Sequence, residues 1–182
     1  NLEAAKKCIC LLKNKDNILP LDKKELKTVG VIGPNANNRR ALVGNYEGTA
    51  SEYVTVLEGI QEYLGDDVRV MYSEGCHLCK DRVSGLANYR IAEARAVAKA
   101  SDVVIACFGL DPSLEGEEGD EGNEFASGDK PNINLPGIQS EVLRTIYETG
   151  TPIILVLLSG SALAVTWEDE HFPAIIQGWY PG

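Results

Sequence analysis

The sequence predicts a three-layer α/β/α sandwich built on a mostly parallel sheet, and three observations carry that expectation. Short, largely apolar runs recur at residues 28–33, 68–72, 103–109, 152–159 and 174–180. Between several of them lie stretches whose apolar residues repeat at helical spacing, at 54–64, 90–100 and 135–149. No internal repeat and no low-complexity segment breaks the alternation. Strands covered on both faces read as continuous Val/Ile/Leu runs, and their alternation with amphipathic helices gives crossover units and hence parallel pairing.

Each element has its own signal. Residues 2–12 set Leu2, Ala5, Cys8, Ile9 and Leu12 on one face with lysines opposite, which predicts an entry helix. The run Thr-Val-Gly-Val-Ile-Gly at 28–33 predicts a buried strand turning at Gly33-Pro34-Asn35. Val56, Leu57, Ile60 and Leu64 share a helical face that Gly65-Asp66 stops, and 68–72 is the next strand. Ile91, Ala94, Val97 and Ala98 define a helix that Ser101-Asp102 leads into the strand 103–109. Residues 135–149 follow, with Pro136 in the first turn, Ile138, Leu143 and Ile146 inward, and Gly150 past the end. Residues 152–159 and 174–180 complete the strands, with a short helix at 161–165 ahead of Trp167.

Composition excludes several classes of partner. The chain has 182 residues, 44% of them hydrophobic, enough for one domain with a full core. Its net charge is −10, and the basic pairs Lys6-Lys7, Lys23-Lys24 and Arg39-Arg40 are scattered, so nucleic acid and anionic membranes are not expected partners. The longest apolar run, 153–158, falls far short of the ~20 residues of a membrane span. Five cysteines make an odd set; Cys8, Cys10 and Cys107 lie in apolar stretches that predict burial, and reduced thiols point to a cytoplasmic protein. Cys76-His77-Leu78-Cys79 lacks the second half of a zinc site and reads as an ordinary loop pair. Gly30-Val31-Ile32-Gly33-Pro34 lacks the third glycine of a dinucleotide fingerprint, and no phosphate loop exists. Leu158-Ser159-Gly160-Ser161 only superficially resembles a serine-hydrolase elbow.

What remains is an acidic loop. Residues 113–129 carry seven carboxylates among Gly116, Gly119, Gly122 and Gly128, directly beyond the strand 103–109. In a doubly wound sheet, function sits outside the carboxyl ends of the strands. Glu115, Glu117 and Glu118 crowd within four residues, which disfavours simultaneous ionisation and suits a general acid. The rival is cation binding, although the EF-hand ligand order is absent.

Several short motifs resemble, in their order along residues 11–182, the C-terminal α/β sandwich domain of glycoside hydrolase family 3. They are Leu11-Leu12-Lys13-Asn14 with Ile18-Leu19-Pro20-Leu21, Val31-Ile32-Gly33-Pro34-Asn35-Ala36, and Gly44-Asn45-Tyr46-Glu47-Gly48. Further along come Gly109-Leu110-Asp111 with Glu115-Gly116-Glu117, Leu135-Pro136-Gly137-Ile138-Gln139, and Gly178-Trp179-Tyr180-Pro181-Gly182. The placement of Gly75-Cys76 is similar to the β-xylosidase and related β-glucosidase branch.

The resemblance implies a retaining exo-β-glycosidase in two parts. An upstream barrel domain of the same protein supplies an Asp nucleophile, and this domain leans its acidic loop over the barrel to supply the acid/base glutamate. The substrate implied is a β-linked oligosaccharide or aryl β-glycoside, with no cofactor and no metal. The acid/base falls on Glu117, with Glu115 as the alternative, and nothing in composition or spacing separates the two. Asp120 matches the aspartate of the family's Glu-x-x-Asp-Arg continuation, and Glu121 stands where arginine is frequent, so the corresponding salt bridge is not expected. The resemblance further implies that residues 1–182 form the domain without its barrel and without its C-terminal end, so the isolated chain is expected to be inactive. Asn45, Tyr46 and Trp179 are weaker candidates for sugar or interdomain contact, and Asp111 for a turn. The reading from another class is a non-catalytic α/β domain using its acidic loop for a cation or a partner.

Overall fold

The computed structural model describes residues 2–44, 48–87, 90–115 and 130–181. In chain order the elements are α1 (Leu2–Cys8), β1 (Cys10–Asn14), β2 (Thr28–Ile32), α2 (Val56–Leu64), β3 (Arg69–Ser73), β4 (Arg82–Val83), β5 (Leu86–Ala87), α3 (Ile91–Lys99), β6 (Val103–Gly109), α4 (Gln139–Tyr147), β7 (Ile153–Leu158), α5 (Thr166–His171) and β8 (Ala174–Gln177). Six strands form one sheet in the order β1-β8-β7-β6-β2-β3, parallel except for β1, while β4 and β5 form a small hairpin.

Side chains alternate across the sheet and build a core on each face. Val104, Ala106, Phe108, Leu155 and Ile175 pack under α3 and α4 with Ala94, Val97, Val142, Leu143 and Ile146, and Trp167 of α5 packs against this cluster. Val29, Val31, Cys107, Ile154 and Leu158 face Leu57 and Leu64 of α2. The expected three layers follow. Helix α2 begins at a capping box, in which Thr55 Oγ1 accepts from the Glu58 amide and Glu58 Oε2 accepts from the Thr55 amide, and it stops at Gly65 with φ 61°.

Four expectations are corrected. The helix predicted over 2–12 ends at Cys8, and Cys10–Asn14 is instead a strand antiparallel to β8, pairing Cys10 with Gln177 and Leu11 with Ile176. The backbone ladder offered by β8 outweighs helical periodicity there. In consequence Cys8 and Cys10 are exposed rather than buried, whereas Cys107 is fully buried as expected. Residues 161–165 are not helical; α5 starts at Thr166, so Trp167 lies inside a helix. Helix α4 starts at Gln139 rather than Leu135, because Gly137 turns the chain at φ 57° where a Cβ would stand 2.8 Å from the backbone of Cys79. Strand β8 closes at Gln177, and Trp179, at φ 58°, is 42% exposed.

Candidate functional site

Strands β2 and β6 are neighbours, yet the chain leaves β2 toward β3 on one side and β6 toward β7 on the other. The crevice beyond their carboxyl ends is a topological switch point. Gly33 and Gly109 open it. Both take φ above 130° as they leave their strands, and a Cβ would lie 2.0 Å from Cys107 O and 2.1 Å from Leu158 O respectively. Only glycine bends over a neighbouring carbonyl this closely.

A cleft of about 500 Å³ occupies the crevice. The β2 loop gives it Asn37 and Asn38, the β6 loop Asp111 and Ser113, and the β3 loop Glu74 and His77. Asp111 does what its turn role predicts: Oδ1 accepts from the Ser113 amide at 2.8 Å, while Oδ2 accepts from Asn38 Nδ2 at 3.1 Å. Arg90 donates to Glu74 and Glu93, and its guanidinium holds the Glu93 carboxyl below its usual value. His77 Nδ1 accepts from the amides of Cys79 and Lys80, both at 3.2 Å, so this nitrogen caps the turn between the two cysteines. Burial pushes the Cys76 thiol up to about 12, which keeps it protonated at neutral pH. Among the described residues, no three His, Cys, Asp or Glu side chains converge as metal ligands would.

Gln139 fastens this edge together. It is fully buried; its Oε1 accepts from Gly109 N at 2.9 Å, and its Nε2 donates to Gly109 O at 2.8 Å and Leu78 O at 2.6 Å. One amide thus joins the end of β6, the start of α4 and the β3 loop.

The acidic loop leaves this edge at Glu115, the only one of the two candidate acids among the described residues. Glu115 Oε2 accepts from the Gly160 amide at 2.8 Å and from the Tyr180 hydroxyl. Burial, followed by this bond to a carboxylate, pushes the Tyr180 phenol well above its usual value, so it remains the donor. On the far side of the loop, Lys130 Nζ donates to Ala162 O at 3.1 Å. Burial pushes the Lys130 ammonium down, and the charge of Glu115 acts in the opposite direction. Glu117, Glu118, Asp120, Glu121, Glu124 and Asp129, together with Asn45 and Tyr46, lie outside the described residues. Trp179 Nε1 donates to Cys8 O at 3.1 Å, fixing its exposed ring beside the end of α1.

Comparison with known proteins is decisive for the family. A profile described as Glycosyl hydrolase family 3 C-terminal domain matches residues 9–182. The chain belongs to glycoside hydrolase family 3, as its C-terminal domain. A protein of Formosa agariphila named "Beta-xylosidase" is 36% identical over all of this chain and 24% of its own length. The "Periplasmic beta-glucosidase" of Salmonella typhimurium is 32% identical over 99% of the chain and 24% of its own length. Among solved structures, a family 3 exo-β-xylosidase in complex with a xylobiose aziridine probe superposes with a TM-score of 0.81 at 33% identity, covering 99% of this chain and 21% of that one. A β-glucosidase of Erythrobacter marinus gives 0.83 at 30%, covering 99% and 26%. The chain therefore spans about a quarter of the length of the relatives it matches.

Gln139, Gly160 and Tyr180 hold this edge of the family 3 domain through contacts that the sequence does not announce. Gln139 stood in a motif quoted for the resemblance, but its signal was physical: a polar residue on the inward face that Val142, Leu143 and Ile146 share. Tyr180 falls at the end of the expected strand 174–180, and Gly160 within the motif Leu158-Ser159-Gly160-Ser161. Neither carries a local pattern that points to Glu115.

Proposed function

We propose that this domain supplies the acid/base carboxylate of a retaining exo-β-glycosidase, the nucleophilic carboxylate coming from a barrel elsewhere in a longer polypeptide. The names of the relatives support the substrate class: a β-linked xylose or glucose unit at the end of an oligosaccharide, or an aryl β-glycoside. Retention requires two carboxyl groups about 5–5.5 Å apart across the anomeric carbon. One attacks; the other protonates the departing oxygen and then takes a proton from the water that releases the sugar. The scheme calls for no cofactor, and the domain alone would provide one carboxyl of the two.

The observation that carries the assignment is the engagement of Glu115 at the loop's stem. Its Oε2 accepts from both Gly160 N and Tyr180, which suits an anchor, and Glu117, two residues further, is the acid/base. The test is hydrolysis of an activated aryl β-glycoside by the full-length polypeptide carrying Glu117→Ala, with and without azide. Loss of turnover, with azide restoring it and yielding a β-glycosyl azide, is expected. Near-normal turnover without azide would refute the assignment and return the role to Glu115 or remove it from the loop. For localisation, five free thiols favour a reducing compartment such as the cytoplasm; the periplasmic relative is the counter-case, and cell fractionation decides.

A further inference from the structure

The geometry points to Tyr180 as a positioning residue for the acid/base loop, acting through Glu115. The inference rests on the proposal that residues 113–129 carry the acid/base. Both stems of the segment 116–129 rest on one strip beyond β7: Glu115 on Gly160 N, and Lys130 on Ala162 O. Ala164 N donates to Ile133 O at 2.7 Å, extending the same strip past Lys130. The Tyr180 hydroxyl adds a second donor to Glu115 from the segment that follows β8, the strand next to β7.

The fit around this contact is close. A Cβ on Gly160 would stand 3.2 Å from Tyr180 Cε2 and 3.3 Å from Glu115 Oε2, so glycine at 160 leaves the ring and the carboxylate the room to meet. A general acid works only when held within a fraction of an ångström of its productive place, and a misplacement of about 1 Å costs on the order of 100-fold in rate. A phenol that fixes the first stem residue therefore bears on rate without touching the substrate.

The experiment compares kcat/KM of the full-length polypeptide on an alkyl β-glycoside, whose leaving oxygen must be protonated, and on a dinitrophenyl β-glycoside, whose leaving group departs without help. Tyr180→Phe removes only the hydroxyl. It is expected to lower kcat/KM for the alkyl substrate roughly 10- to 100-fold while changing the dinitrophenyl substrate less than about threefold. Glu115→Ala should show the same leaving-group dependence, and the double variant should be no worse than Glu115→Ala alone, because that change already removes the contact Tyr180→Phe breaks. Equal losses on both substrates would mark a merely structural role and overturn the inference, as would no loss at all. Glu117→Ala separates the two levels. If it shows leaving-group dependence and azide rescue while Tyr180→Phe does not, only the role of Tyr180 fails. If neither Glu117→Ala nor Glu115→Ala shows them, the loop carries no acid/base and both readings fall.

Discussion

Replacing Gln139 by alanine should measure what one buried amide contributes to the carboxyl edge of the sheet. Its side chain satisfies Gly109 N–H, Gly109 C=O and Leu78 C=O, and it is fully buried. Each buried backbone group left without a partner costs about 1–3 kcal/mol. Leu78 O is only partly buried and regains water, so the two Gly109 groups dominate. The expected loss is about 2–6 kcal/mol, or a fall in Tm of roughly 4–24 °C for a domain of this size. Urea denaturation of the chain, followed through the fluorescence of Trp167, reads it directly. Trp167 packs against the same core cluster as α4, so its signal reports the element that Gln139 begins. A loss below about 0.5 kcal/mol, the range of an ordinary surface change, would refute the view that this amide holds the edge.

Two further outcomes concern the same edge and its opposite end. Gly33→Ala should destabilise by roughly 3 kcal/mol or more, because its Cβ would meet Cys107 O at 2.0 Å with φ at 131°; a denaturation midpoint near that of the parent chain would show that the bend relaxes without loss. Asp102 accepts at Oδ2 from the amides of Thr28 and Lys27, and these bonds hold its carboxyl below the ordinary value of 3.8. A depressed folded-state pKa gives stability that is present above 3.8 and lost as pH falls through the lower folded value. Asp102→Asn should therefore lower the midpoint at pH 7 and erase the difference from the parent under acid conditions; a gap that persists unchanged in acid contradicts this.

The layered architecture was legible because its signals are local. The five parallel strands are apolar runs, and α2 and α3 carry their own periodicity and stops. The misreading at 2–12 has a physical cause. Cys8, Ile9 and Leu12 fit a helical face on spacing alone, but from Cys10 onward the chain is held by β8, which lies far along the sequence. Leu11 and Leu12 stay largely exposed, as members of an edge strand rather than of a core. The start of α4 was displaced by a contact between Gly137 and Cys79 that no local pattern encodes. For the site, the sequence marked the loop and its two glutamates, while the partners of Glu115 come from two segments that meet it only in the folded sheet. Helical or strand periodicity reports which face is buried, not which hydroxyl ends up beside which carboxylate.

The pairing of Cys10 with Gln177 sets an order of assembly. Strands β2, β3, β6, β7 and β8 can zip outward through crossovers of modest length, each new strand finding its template already made. β1 has no such template until β8 is seated, and it must then close the longest loop in the domain. The segment is made before β8 and can pair with it only afterwards. Until it does, β8 presents an unsatisfied backbone edge to any other extended chain, and the lysine at position 13 is the one charge β1 brings to that edge when it covers it.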